Sequence, residues 1–439
     1  MGAVLLSLLG QPAAAQALLP EFGALRDRLE EQGWLLHGQA TFVQQLRPAF
    51  SAPYNGPNSM QSATMQRNTS SASLTIGRAL WAGAEFIIDP QFSRGFGLSG
   101  TRGIAAFPNG EAFRIGSNDP TGYFTRVFFR QTIGLSAETV APEPDPFRFA
   151  RPLPRERITI TAGKFAVFDI FDDNRYSHDP RTQFLNWAFI SAGAFDFSND
   201  AKGYTNGVAL EWENGRWGFR SGAVQVARRI NSLSLDPQPL RGFQLLAQID
   251  HFHAIGGRPG ALRLLGGLSR TRSQSYNELL AGDIEATRES PRGGYRRKHM
   301  AVLNAEQEIA DDLGLFSRLS WNDGRSQQWM YTEMDWAFSA GMALGGGRWG
   351  RPGDTVGLAG NIGGLSGPHR RFLRAGGVGF ILGDGRLNYR PERVLELYYD
   401  AGLAPGTNAA VNIQLINNPA HNADRGPIVV LSLRLRTAF

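Results

Sequence analysis

The twelve residues IVVLSLRLRTAF (428–439) decide the fold. Val429, Leu431, Leu433 and Leu435 alternate with Ser432, Arg434 and Arg436, and the segment finishes on an aromatic, Phe439. Successive side chains of a β-strand point to opposite faces, so this segment has one hydrocarbon face and one charged face. A half-buried soluble sheet gives the same alternation. A final strand ending on an aromatic also suits a transmembrane β-barrel, whose strands face lipid on one side and a watery lumen on the other.

Upstream segments repeat the scheme. Val208, Leu210 and Trp212 alternate with Ala209, Glu211 and Glu213; after Asn214-Gly215, Trp217 and Phe219 alternate with Arg216 and Arg220. Asn-Gly between two alternating runs is the strongest two-residue hairpin signal. Ile158, Ile160 and Ala162 oppose Arg157, Thr159 and Thr161, and Phe243, Leu245, Ala247 and Ile249 oppose Gln244, Gln248 and Asp250. A short turn is expected at 311–314. An open sheet edge in lipid leaves backbone groups unsatisfied, so strands of this kind must close into a ring. About seventeen runs are strand-like, each near the 9–11 residues that span a bilayer. Bacterial single-chain barrels have even strand numbers, so sixteen or eighteen strands both fit, with the surplus assignment expected in the glycine-rich stretch after Trp336.

The expected fold class is therefore all-β: a closed antiparallel transmembrane β-barrel over 35–439. It is preceded by a short periplasmic helix within 16–34. Phe22, Leu25 and Leu29 recur at helical spacing across 18–32, and Gly33 ends the run. Val4 to Leu9 is a short apolar core followed by Ala13, Ala14 and Ala15, which reads as an export signal over 1–15 with the mature chain starting at Gln16. No Lys or Arg precedes that core, so Met1 need not be the native start.

Composition agrees. The 439 residues include 53 glycines and no cysteine, aromatics are 11% and charged residues 19%. The lack of cysteine excludes a disulfide framework and a thiolate metal site. No stretch approaches the ~20 apolar residues of a membrane helix. The net charge is +6, but the arginines are scattered and no nucleic-acid motif is present, so nucleic acid is not an expected partner.

Long irregular stretches at 93–122, 141–154, 168–203 and 273–297 carry the remaining chemistry. Loops of such length are usually functional; in a barrel most sit at the outer face, and one folding inward would narrow the pore. Ser177-His178-Asp179 has the residue types of a hydrolase triad, but adjacent residues do not make triad geometry. His251 and His253 share one side of a strand without a third metal ligand. Asp169, Asp172, Asp173 and Asp179 crowd one loop without the terminal Glu of a calcium loop. No catalytic site, metal or cofactor is expected. A sugar pathway needs arginines with carboxylates for hydroxyls and aromatic faces for sugar rings. Arg126 and Arg130 share one side of a strand, and Glu111, Asp172, Asp173, Arg175 and Trp187 lie in the long loops.

Several stretches resemble the OprB-type carbohydrate-selective porins of Gram-negative outer membranes. They are HGQATFVQQLRPAFSAPYNGPNS (37–59), FPNGEAFR (107–114), TAGKFAVFDIFDDNRYSHDPRTQFLNW (161–187), WNDGR (321–325), RWGRPGDTVGLAG (348–360), GDGRLNYRPE (383–392) and NPAHNADRGPIVVLSLRLRTAF (418–439). The resemblance implies a sixteen-stranded barrel in the outer membrane and passive diffusion of mono- or short saccharides, without a cofactor. It marks Glu111, Arg114, Asp172, Asp173, Arg175, Asp179, Arg181 and Trp187 as pathway candidates. The expected partners are small sugars and outer-membrane lipid. A homo-oligomer is compatible with the chain, although no segment marks an interface. The alternatives are a general or anion-preferring porin, which the positive net charge favours, and an adhesive barrel without a pore.

Overall fold

The computed structural model describes residues 19–113, 116, 118–282, 284 and 294–439. The expected signal at 1–15 and the candidate Arg114 lie outside the described residues. Sixteen strands close one antiparallel ring. They are β1 (Trp34–Arg47), β2 (Met65–Trp81), β3 (Ala84–Arg94), β4 (Thr121–Gly134), β5 (Arg157–Phe165), β6 (Thr205–Glu213), β7 (Trp217–Gln225) and β8 (Phe243–Ile255). The second half is β9 (Arg258–Thr271), β10 (Arg296–Ala310), β11 (Leu313–Asn322), β12 (Trp336–Gly345), β13 (Thr355–Gly364), β14 (Glu392–Ala404), β15 (Thr407–Asn417) and β16 (Ile428–Ala438). Each strand pairs with its chain neighbours, and β16 closes the ring on β1, with Gln39 opposite Ala438 and Leu46 opposite Leu431. Among the described residues no helix is long and apolar enough to cross a membrane.

The alternation read in β16 is realised in space. Val429, Leu431 and Leu435 face outward, whereas Val430, Ser432 and Arg434 are buried inside. The hairpin of β6 and β7 turns at Asn214-Gly215, where Gly215 takes a positive φ of 83° that other residues rarely adopt. Across it Glu211 faces Arg220 on the inside and Trp212 faces Phe219 on the outside. Exposed aromatics stand at both rims: Trp34, Trp81, Trp217 and Trp349 at the turn end, and Phe92, Phe124 and Trp321 at the loop end. These are the levels at which amphipathic rings settle at membrane interfaces.

The stretch after Trp336 holds β12 and β13. Then 365–391 leaves the wall as a helix, α4 in chain order, at Gly367–Arg374, and a buried loop through Phe380, Ile381 and Leu382. Three helices precede it: α1 (Leu19–Glu31), α2 (Trp187–Ile190) and α3 (Tyr276–Ala281). α1 ends at Gly33, whose φ is 80°, and Arg78 donates to the Gln32 carbonyl at 2.6 Å. The helix stands at the turn end of the ring, where Arg26, Asp27 and Glu30 border the lumen.

The core lies inside the barrel. The 166–204 loop enters the lumen and its apolar residues Phe171, Phe184, Phe189, Phe195 and Phe197 are buried there. They pack on inward wall residues such as Phe316 and Tyr398; Ile416, Ile428 and Val430 line the same core. Infolded protein thus occupies part of the lumen, where the sequence pattern allowed for one loop folding inward to narrow the pore. One correction concerns the proline-rich stretch. It connects β4 to β5 at the turn end, and from there Phe147 and Phe149 fold up into the lumen.

Candidate functional site

An infolded loop cannot leave its backbone groups unpaired, and inward charges of the wall satisfy them. Glu396 of β14 accepts from Leu185 N (2.7 Å) and Asn186 N (3.0 Å). Glu392 accepts from Ala105 N, Ala106 N and Ala420 N at 2.8–2.9 Å. Arg434 of β16 donates to the carbonyls of Pro180 (2.7 Å) and Gln183 (2.6 Å). Arg318 of β11 donates to Asp172 Oδ1 (3.2 Å) and to the Ser177 carbonyl (2.7 Å). The contacts of Glu396, Arg434 and Arg318 fix the 166–204 loop across the ring, and those of Glu392 hold the 105–106 segment and the 418–427 loop.

What remains open is a cavity of about 2020 Å3 running between that loop, the proline-rich loop and the wall. On one side Arg181 Nε donates to Glu111 Oε1 (2.9 Å) and its Nη2 to Gln91 Oε1 (2.9 Å), while Ser71 donates to the other Glu111 oxygen. Asp179 accepts from Arg181 N (2.9 Å) and the Thr182 hydroxyl (3.1 Å). Burial disfavours the Asp179 carboxylate, but the charge and backbone N–H of Arg181 together with Arg436 and His178 outweigh it and hold the carboxyl below its ordinary range. Burial likewise opposes the Asp173 carboxylate, and His178 with the lumenal arginines draws it below normal. Across the cavity Arg126 grips Asp169 with two bonds (2.7 and 2.5 Å), and Phe147 lies under its guanidinium at 3.8 Å. Arg130 donates to the Phe147 carbonyl at 2.9 Å. Trp187 and Tyr331 form a parallel aromatic step, with centroids 5.8 Å apart at 10°.

The sequence candidates divide accordingly. Glu111, Arg126, Arg130, Asp173, Arg175, Asp179, Arg181 and Trp187 all border the cavity. Arg175 forms an ion pair at 2.6 Å with Glu143, which joins the two infolded loops. Asp172 turns the other way. It is buried against the wall, where Ser191 Oγ and Ala192 N donate to it at 2.7 Å alongside Arg318. Residues of the polar strand faces that were not named as pathway candidates also border or support the space. Arg220 pairs with Asp250 (2.7 Å) and with Glu211, and Arg263 pairs with Glu306 (3.0 Å). Strand parity marks all of these as inward. Phe147 had no such signal, because it comes from a loop.

The other motifs have different fates. Ser177 Oγ donates to the Phe189 carbonyl (2.5 Å) and accepts from Arg318 (3.2 Å), with the His178 ring set against Phe168 instead. His251 stacks on His253 (5.5 Å) and packs at a tilt against Trp217 (4.5 Å) near the turn-end rim. The four loop aspartates diverge to separate partners. Among the described residues no cluster of three or more His, Asp or Glu is placed to hold a metal.

Comparisons agree with this geometry. Residues 58–439 match the carbohydrate-selective porin, OprB family. No curated protein matches the chain. The fold is similar to the high-pH structure of Pseudomonas putida OprB, at 16% identity and a TM-score of 0.71, covering 95% of this chain and 97% of that one. It is also similar to the outer membrane channel DcaP of Acinetobacter baumannii, at 10% identity and a TM-score of 0.52, covering 92% and 97%. Its strands face lipid, its lumen is bordered by paired charges and aromatic faces, and most of its length matches one family: the chain belongs to the OprB family of carbohydrate-selective porins of the outer membrane.

Proposed function

We propose that neutral mono- and short saccharides diffuse down their gradient through this lumen, with Glu111, Arg181 and Asp179 exchanging hydrogen bonds with sugar hydroxyls. Trp187 and Tyr331 offer the apolar step against which a ring face slides. The observation that carries this reading is the pairing of the lumenal arginines. Arg126, Arg181, Arg220 and Arg263 each hold a carboxylate, so donors and acceptors alternate and local charge largely cancels. Such a surface suits a polyhydroxylated neutral solute, which needs both donors and acceptors. In this reading residues 1–15 are an export signal and α1 a periplasmic cap.

The test is single-channel current across a planar bilayer. Glucose in the bath should reduce the current as it occupies the narrow region. Current unaffected by glucose but blocked by phosphate would replace the sugar reading with the anion-preferring one.

A further inference from the structure

Positive charge collects where the sugar pathway has no use for it. On paired β9 and β10, Arg270 lies directly opposite Arg297. Both share strand parity with the lipid-facing Leu264 and Leu303, which are 57% and 43% exposed, so both stand on the outside wall at the loop-end margin of the apolar band. Like charges directly opposed on a sheet are destabilising by themselves. With Arg296 and Arg325 they border a surface cleft of about 760 Å3 that shares no lining residue with the lumen. Arg241, Arg270 and Arg272 also surround the Tyr295 ring at 5.1, 5.4 and 4.9 Å.

Among the described residues, acidic partners reach only two of these arginines. Glu278 pairs with Arg296, and Asp236 with Arg272 at 3.4 Å. Among the described residues Arg270, Arg297 and Arg325 form no ion pair. Ser326, 3% exposed and lining the cleft, leaves its hydroxyl without a hydrogen-bond partner, as does Nε of Arg296.

We propose that this cleft binds phosphate groups on the headgroups of outer-leaflet lipid. The planar guanidinium fork matches phosphate oxygens in pairs. The position matches as well, because Arg270 and Arg297 end the outward apolar strips at the level where headgroups begin. Basic side chains at a membrane surface each contribute about 1 kcal/mol toward anionic lipid, so losing two weakens binding about thirtyfold.

The test titrates detergent-solubilised full-length protein with bisphosphorylated lipid A and reads bound lipid by native mass spectrometry. Arg270→Gln/Arg297→Gln should bind about thirtyfold more weakly, fully dephosphorylated lipid A should bind the unaltered protein equally weakly, and glucose-driven liposome swelling should not change. Heat-modifiable electrophoretic mobility checks that the variant is folded. Should it not fold, Arg325→Gln in the loop gives a separate reading, with about fivefold weaker binding. Equal binding by the variants, or by dephosphorylated lipid, overturns the proposal. Millimolar inorganic phosphate filling the cleft while lipid A does not bind would also overturn it, leaving a site for free anions.

Discussion

Arg318→Met should loosen the constriction without opening the ring. Arg318 is 1% exposed and donates five hydrogen bonds to the 166–204 loop: to Asp172 Oδ1 and O, Ser177 Oγ and O, and the Phe189 carbonyl, at 2.7–3.2 Å. Methionine fills similar space but leaves the Asp172 carboxylate buried without a counter-charge. Breaking one side of a buried pair typically costs about 3–5 kcal/mol. That shifts the balance between pinned and unpinned loop by roughly a hundredfold to a few thousandfold. Glu396 and Arg434 still hold the loop farther along, so the variant should visit the unpinned state without living in it. In single-channel recordings the mean conductance should rise with added flicker, and a trisaccharide should begin to pass. Adding Asp172→Asn removes the stranded charge and should restore part of the loss. A folded Arg318→Met channel with unaltered conductance and unaltered sugar discrimination would refute the view that this loop, held by this arginine, sets the narrow region.

Three further outcomes follow from the same geometry. Arg181→Gln leaves Glu111 and Asp179 unbalanced, so the reversal potential in a salt gradient should move toward cation preference and glucose swelling should fall several-fold, as expected for losing about 1 kcal/mol of contact. His421, in the 418–427 loop, accepts from Glu392 N (3.3 Å) and bonds through its other nitrogen to the Glu333 carbonyl (3.0 Å); burial pushes its pKa down to about 4. The unfolded state then binds the proton more strongly, so stability is full above about pH 6.5 and declines by up to about 3 kcal/mol as pH falls toward 4; thermal unfolding at pH 7 and 4.5 should show it, and His421→Gln should flatten it. Leu431→Arg places charge on the lipid face of β16 and should destabilise the folded barrel by about 2–4 kcal/mol in refolding titrations.

Strand alternation was legible because it is local: period two in β16 or β8 needs no knowledge of the rest of the chain, and one buried face fixes register. The Asn214-Gly215 turn was legible for the same reason. The infolding was not, although it left a trace. Phe316, Tyr398, Ile416, Ile428 and Val430 are apolar at inward positions, a mismatch that only a protein-filled lumen explains. The site was partly legible, since residue type and parity pointed to Arg126 and Arg130. Within a loop that guide fails. Asp172 and Asp173 are neighbours of the same type, yet Asp172 takes a left-handed φ of 58° and is buried at the wall, while Asp173 borders the cavity. Phe147 reaches Arg126 only because a proline-rich connection at the turn end folds back inside, which no spacing in the sequence encodes.

Liposome swelling by the purified protein, compared between isosmotic glucose and a trisaccharide, tests the central claim most directly. A closed ring with lipid outside and a loop-narrowed aqueous passage inside predicts rapid swelling in glucose and little in the trisaccharide. No swelling in glucose, or equal rates in both sugars, would contradict it.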